Sequence, residues 1–216
     1  MKKLMMPIVS AMLISVAAFA QKGGPALKAA VDKLEKAAAP KDFEALEKEF
    51  VALTKTQPAD WQPWYYAAFC NAKIGFLYQE DGEKIEPYSI RGEEQITKAQ
   101  SLLDSTKQRA ELSEVYTVAS MVYRTKVFIN PMTYGRKYGP TSEKFLQQAK
   151  YLNPQNPRAL YVQAWVKYNT PKMWGGDKKQ AKALAEQSLA LLAKEQPGAL
   201  PHWGKAEDQE LLGKYK

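Results

Sequence analysis

His202 is the only histidine of the chain and Cys70 its only cysteine, and these two facts bound the chemistry available. A zinc site of the Cys/His kind needs several such ligands and cannot be assembled. No P-loop, GxGxxG, GxSxG, HExxH or EF-hand spacing occurs. His202 could act as a general base, but beside Trp203 it reads as a surface or packed histidine. Cys70 sits in an apolar run over 64–77, where a small buried hydrophobe is expected rather than a reactive thiol. A lone cysteine also excludes an intrachain disulfide. The carboxylates Glu44, Glu47 and Glu49, and Glu80, Asp81, Glu83 and Glu86, lack the ligand spacing and turn glycine of a calcium loop, so they read as solvated faces. Gly175-Gly176-Asp177 could offer backbone N–H groups to a phosphate; Asp177 as the N-cap of a following helix is the preferred reading. No enzyme, no metal and no cofactor is expected.

Charge is the second chemical feature. The formal net charge is +8, but it is unevenly spread. Residues 124–182 carry 12 Lys/Arg against only Glu143 and Asp177, whereas 21–123 carry 13 against 16 acidic residues. Tyr123, Tyr134, Tyr138, Tyr151, Trp165 and Trp174 are interleaved with the basic segment, a pattern superficially like a nucleic-acid surface. The amino-terminal residues argue against that. Lys2 and Lys3, an apolar stretch over 4–16 and Ala18-Phe19-Ala20 read as a signal peptide over 1–20, cleaved between Ala20 and Gln21. The stretch is short of the roughly 20 apolar residues that span a bilayer, and no cysteine follows it for a lipid anchor. The expectation is an exported, soluble protein of the periplasm or extracellular space with no later transmembrane segment. Its counterparts would be anionic glycans, cell-wall material, lipid headgroups or an acidic protein face, with a generic basic surface as the bland alternative.

The elements that must position these residues are helices. Apolar residues at helical spacing mark helices over 26–38, 41–56, 64–77, 93–104, 110–128, 141–152, 158–169 and 178–194. Glycine, proline and charge over 78–92 and 129–140 predict two long loops, and a short helix near 207–212 interrupts an otherwise extended tail over 196–216. No strand is predicted. Within the helices three pentads repeat: Trp64-Tyr65-Tyr66-Ala67-Ala68, Val115-Tyr116-Thr117-Val118-Ala119 and Leu160-Tyr161-Val162-Gln163-Ala164, at steps of 51 and 45 residues. A weaker relative starts at Ala30. Such recurrence marks a helical-hairpin array.

The pattern resembles tetratricopeptide repeats (TPR), which place a bulky residue at position 4, a small one at 8, small or apolar ones at 20, 24 and 27, and proline at 32. Pro58 at position 32 puts Leu46, Phe50 and Leu53 at 20, 24 and 27, and Trp64 and Ala68 at the next 4 and 8. Pro154 does the same for Leu146, Ala149, Leu160 and Ala164. Two units are longer than the family's, and alanine stands throughout where glycine is usual at position 8. The chain is also similar to exported TPR-like proteins of Gram-negative bacteria that carry a Thr-Pro-x-x-aromatic-Gly-Gly turn and a Trp-Gly near the end, here Thr170 to Gly176 and Trp203-Gly204.

The resemblance implies an all-α fold: one TPR-like domain over 21–216, a short hairpin solenoid with two long inter-helix insertions. It also implies a concave groove. Carried over by repeat position, Tyr65, Phe69, Tyr116, Tyr123, Arg124, Arg158, Tyr161 and Trp165 would line it. The same aromatics could instead pack beneath the loops or the tail. Tyrosine, tryptophan and arginine dominate binding hot spots. The expected function is therefore a non-enzymatic scaffold of the bacterial envelope that holds a protein or peptide in this groove. The alternative is a carrier or uptake accessory that encloses a small or oligomeric anionic ligand.

Overall fold

The structure, a computed structural model, describes residues 24–196 and 201–215; the signal peptide expected over 1–20 lies outside them. The described residues fold into nine α-helices with no strand, in agreement with the all-α expectation. In chain order they are α1 (Pro25–Leu34), α2 (Pro40–Thr56), α3 (Trp61–Leu77), α4 (Gly82–Ser101), α5 (Arg109–Ile129), α6 (Tyr134–Leu152), α7 (Pro157–Asn169), α8 (Lys178–Leu192) and α9 (Lys205–Gly213). Among the described residues no helix is long and apolar enough to cross a membrane.

Helix starts follow from local chemistry. The Asp60 carboxylate accepts from the Gln62 N–H at 3.0 Å and starts α3, and Asn156 does the same for the Arg158 and Ala159 amides at the head of α7. Pro40 and Pro157 occupy first helical positions, where the missing N–H costs nothing. Asp177 accepts from the Gln180 amide at 2.9 Å, the N-cap expected of the Gly-Gly-Asp turn. Gly176 is required there, because a Cβ would stand 1.7 Å from the Thr170 carbonyl oxygen.

The two stretches read as loops are corrected by the structure. Most of 78–92 belongs to α4, with Pro87 inside it, and most of 129–140 to α6, with Pro140 inside it. A proline in a helix interior costs about 3 kcal/mol. Around Pro87 that cost is met by packing: Ile85 is wholly buried, Ser89 is nearly so, and the Tyr88 hydroxyl donates to Glu44 on α2 at 2.5 Å. Burying one large aliphatic side chain is worth about 1.5–3 kcal/mol, so tertiary contacts override the local signal. The extra residues lengthen the outer helices instead of forming insertions.

Consecutive helices pack on one another, and α3, α5 and α7 also meet directly, so they form an inner row backed by α2, α4, α6 and α8. The pentad alanines Ala68, Ala119 and Ala164 are all buried in that row. Gly75 lets α3 approach α5 so closely that a Cβ would meet the Thr125 side chain at 2.6 Å. The chain then returns. Residues 201–204 cross α3, where Trp203 lies over Phe69 with ring centroids 4.6 Å apart, and α9 docks on α7 and α8.

Candidate functional site

The centre of the returning segment is Arg158, only 2% exposed. Its Nε donates to Glu114 at 3.1 Å, and Nη1 and Nη2 donate to the two Glu195 oxygens at 3.2 and 2.8 Å. The same guanidinium donates to the carbonyls of Pro201 at 2.7 Å and Trp203 at 3.4 Å. Trp203 Nε1 donates to the Tyr65 hydroxyl at 2.7 Å, which in turn donates to Glu114 at 3.2 Å, and the His202 amide donates to Tyr66 at 2.9 Å. Burial pushes the Glu114 carboxyl above its ordinary range despite the opposing Arg158 charge. Burial likewise carries the Tyr65 phenol well above its usual value. Every donor of Arg158 is engaged within the fold, which makes this network a clamp on the tail rather than a docking site.

A cavity of about 320 Å³ opens beside the clamp, bounded by α3, α5, α7 and α9. Phe76 and Trp165 meet edge to face at 4.9 Å on one wall, and Met121, Tyr161 and Val162 are part of the apolar lining. Lys73 and Glu207 pair across it at 3.0 Å, and Lys214 and Glu210 pair along α9 at 3.4 Å. Arg124 differs. Its Nε is sealed from solvent without a hydrogen-bond partner, and no ion pair engages it among the described residues. Burial lowers its pKa, with the Glu143 charge opposing. Tyr161 lines the same space; burial first, then Glu207, Glu210 and Asp208, hold its phenol protonated and able to donate. Cavities of about 300–1,000 Å³ with apolar walls and a few converging polar groups are the usual form of small-ligand sites. A second, larger space of about 740 Å³ lies on the other side of α9, lined by Phe43, Phe69, His202 and Trp203 among others, and shares Lys73, Leu77, Glu207 and Glu210 with the first.

The eight residues expected to share one open groove fall into three places. Tyr65, Phe69 and Arg158 are buried beneath Trp203 and its neighbours. Arg124, Tyr161 and Trp165 line the first cavity. Tyr116 and Tyr123 face away from it, packed on Phe145 of α6 at 5.6 and 5.3 Å. The longer outer helices are the reason. Glu93 of α4 accepts from Tyr123 and pairs with Lys126, while Tyr138, in the stretch read as a loop, covers the same ring at 6.1 Å. Sequence reasoning did not pick Phe76, Met121 or the α9 carboxylates as wall residues. Phe76 falls three residues beyond Lys73 on the inner row, but the return of α9 from more than 130 residues away left no local signal. Among the described residues no group of three His, Cys, Asp or Glu side chains is placed to hold a metal ion.

No family model matches the chain, and no curated protein sequence matches it. Among solved structures it is similar to the HusA haemophore from Porphyromonas gingivalis, at 29% identity over 88% of this chain and 90% of that one, with a TM-score of 0.72. The likeness is to a ligand-binding protein rather than an enzyme.

Proposed function

We propose that the protein is an exported carrier that encloses a planar, apolar, anionic ligand of the haem type in the cavity between α3, α5, α7 and α9. The observation that carries this reading is Arg124: a guanidinium with its Nε buried and unpartnered, set among Phe76, Trp165, Met121 and Tyr161. A buried guanidinium Nε left without a partner is costly unless a ligand anion completes it, and a carboxylate held in two parallel hydrogen bonds is its natural complement. The aromatic walls then take the flat face of the ligand, and the Tyr161 hydroxyl supplies a second donor. Arg124 belongs to the basic segment that pointed to anionic ligands. Likeness to a haemophore along nearly the whole of both chains supports the same class of cargo.

The scaffold reading is less well supported, because the surface that would take a peptide is covered by the protein's own residues 201–204. The test is a titration of the mature protein with hemin, followed by Soret absorbance. Arg124→Ala removes charge-assisted hydrogen bonds worth about 1.5–3 kcal/mol, so affinity should fall by roughly tenfold to a hundredfold with the fold intact. Absence of any Soret change, or equal affinity of wild type and Arg124→Ala, would sink the carrier reading.

A further inference from the structure

Asp208 of α9 is wholly buried, yet no cation pairs with it among the described residues. Its Oδ1 is sealed from solvent without a partner, and its Oδ2 lies 2.5 Å from Ser188 Oγ on α8. Ser188 Oγ also lies 2.8 Å from the Pro157 carbonyl oxygen of α7. A serine hydroxyl carries one proton, which cannot point at both of these oxygens at full strength. The carbonyl brings none. A proton on Asp208 completes the arrangement: as a carboxylic acid it donates to Ser188, which frees the Ser188 hydroxyl to donate to Pro157.

The charged surroundings agree with a neutral acid. On its own helix the neighbour Glu207 is negative and occupied by Lys73 of α3. From α7 come the Tyr161 phenol and Arg158, whose donors are taken by Glu114, Glu195 and two carbonyls. From α8 comes neutral Ser188. Burial raises the Asp208 carboxyl from 3.8 to about 7, and the Glu207 charge adds to the rise. The helix that carries this acid is also a wall of the ligand cavity, through Glu207, Glu210, Leu211 and Lys214. Its Glu207 and Glu210 line both that cavity and the larger space beyond, together with Lys73 and Leu77 of α3, and it is joined to the clamped segment by Gly204, whose φ of +116° suits glycine.

We propose that α9 is a lid over the ligand cavity and that Asp208 is its proton latch: protonated, it holds α9 on α7 and α8; ionised, it lets α9 swing about Gly204 and joins the two spaces. The sign follows from linkage. The docked pKa lies above that of an undocked aspartate, so ionisation favours the open form, and docking weakens about tenfold per pH unit between the two values before levelling off above about 7. The lid is closed in acid and loosened at neutral pH. Only the ligand arm of this proposal rests on the carrier reading.

Hydrogen exchange of the peptide spanning α9, in the unliganded full-length mature protein and corrected for intrinsic rates, reads the latch directly. From pH 5 to 7 its protection should fall by roughly fiftyfold in wild type and stay level in Asp208→Asn, which keeps the side-chain shape and a donor for Ser188. Release of hemin to excess apomyoglobin should quicken with pH in wild type relative to Asp208→Asn. A wild-type exchange profile flat across this range overturns the latch by itself. The same slope in both proteins, or a hemin release ratio independent of pH, overturns it too. Failure to bind hemin at all would count against the carrier reading while the exchange profile still decides on the latch.

Discussion

Replacing Arg158 by methionine would strike the network that fastens the chain's end to its middle. The side chain is 2% exposed and serves Glu114, Glu195 and the carbonyls of Pro201 and Trp203. Methionine keeps much of the volume but leaves Glu114, itself 7% exposed, without its cation. Removing one partner from a buried ion pair costs about 3–5 kcal/mol. At roughly 2–4 °C per kcal/mol for a domain of this size, the melting temperature should fall by about 6–20 °C. The pH dependence carries a sign as well. Glu114 is already raised by burial, with Arg158 as the main opposing charge, so losing the arginine raises it further. A carboxyl whose folded pKa exceeds its unfolded one destabilises the fold as pH rises through the folded value. The deficit of Arg158→Met should therefore be larger at pH 8 than at pH 5, and adding Glu114→Gln should recover part of it. Thermal melts by circular dichroism at both pH values check this. A shift below about 3 °C at pH 8, or a deficit that grows on acidification, would refute the assignment of Arg158 as the clamp.

Two further outcomes follow from packing. Gly75→Ala should destabilise the protein by about 1–3 kcal/mol through overpacking, because its Cβ would meet Thr125 at 2.6 Å. Gly135→Ala, whose nearest neighbour would be Val127 at 3.8 Å, should instead gain up to ~1 kcal/mol of helix propensity; urea midpoints separate the two, and a matching response of both would contradict the close approach of α3 to α5. Cys70 is fully buried, and burial carries its thiol well above the ordinary value. It should react with a thiol reagent such as DTNB only as fast as the protein unfolds, whereas labelling within seconds under native conditions would show an open path to it.

Much of the helical order was legible because it is written locally. Apolar periodicity announces α2, α3 and α7 before any contact is known, and Asp177 announces the start of α8, although the starts of α3 and α7 at Trp61 and Pro157 lie before the 64 and 158 expected. The short helix near 207–212 was equally legible and runs over Lys205–Gly213. Pro87 and Pro140 misled, since local rules price a proline but not the burial of Ile85 or the stacking of Tyr138 that offsets it. The site was less legible. Arg124, Tyr161 and Trp165 were singled out and do share one cavity, but Arg158 looked like a groove cation and is an internal one. Its partners Glu195, Pro201 and Trp203 lie 37 to 45 residues away, and Tyr65 meets Trp203 across 138. Periodicity within a helix carries no information about such a return.

That return also has a mechanical consequence. Trp203 rests on α3, His202 reaches Glu35 at the end of α1 at 2.9 Å, and α9 is seated on the last hairpin. A stack of hairpins joined only to their neighbours bends like a spring, with small rotations adding from unit to unit. Here the tail is a chord tied across the arc, from the first helix to the eighth. The tail contacts therefore bridge helices that the order of the hairpins leaves apart. A ligand that widened the space between α3 and α7 would have to shift those tail contacts first.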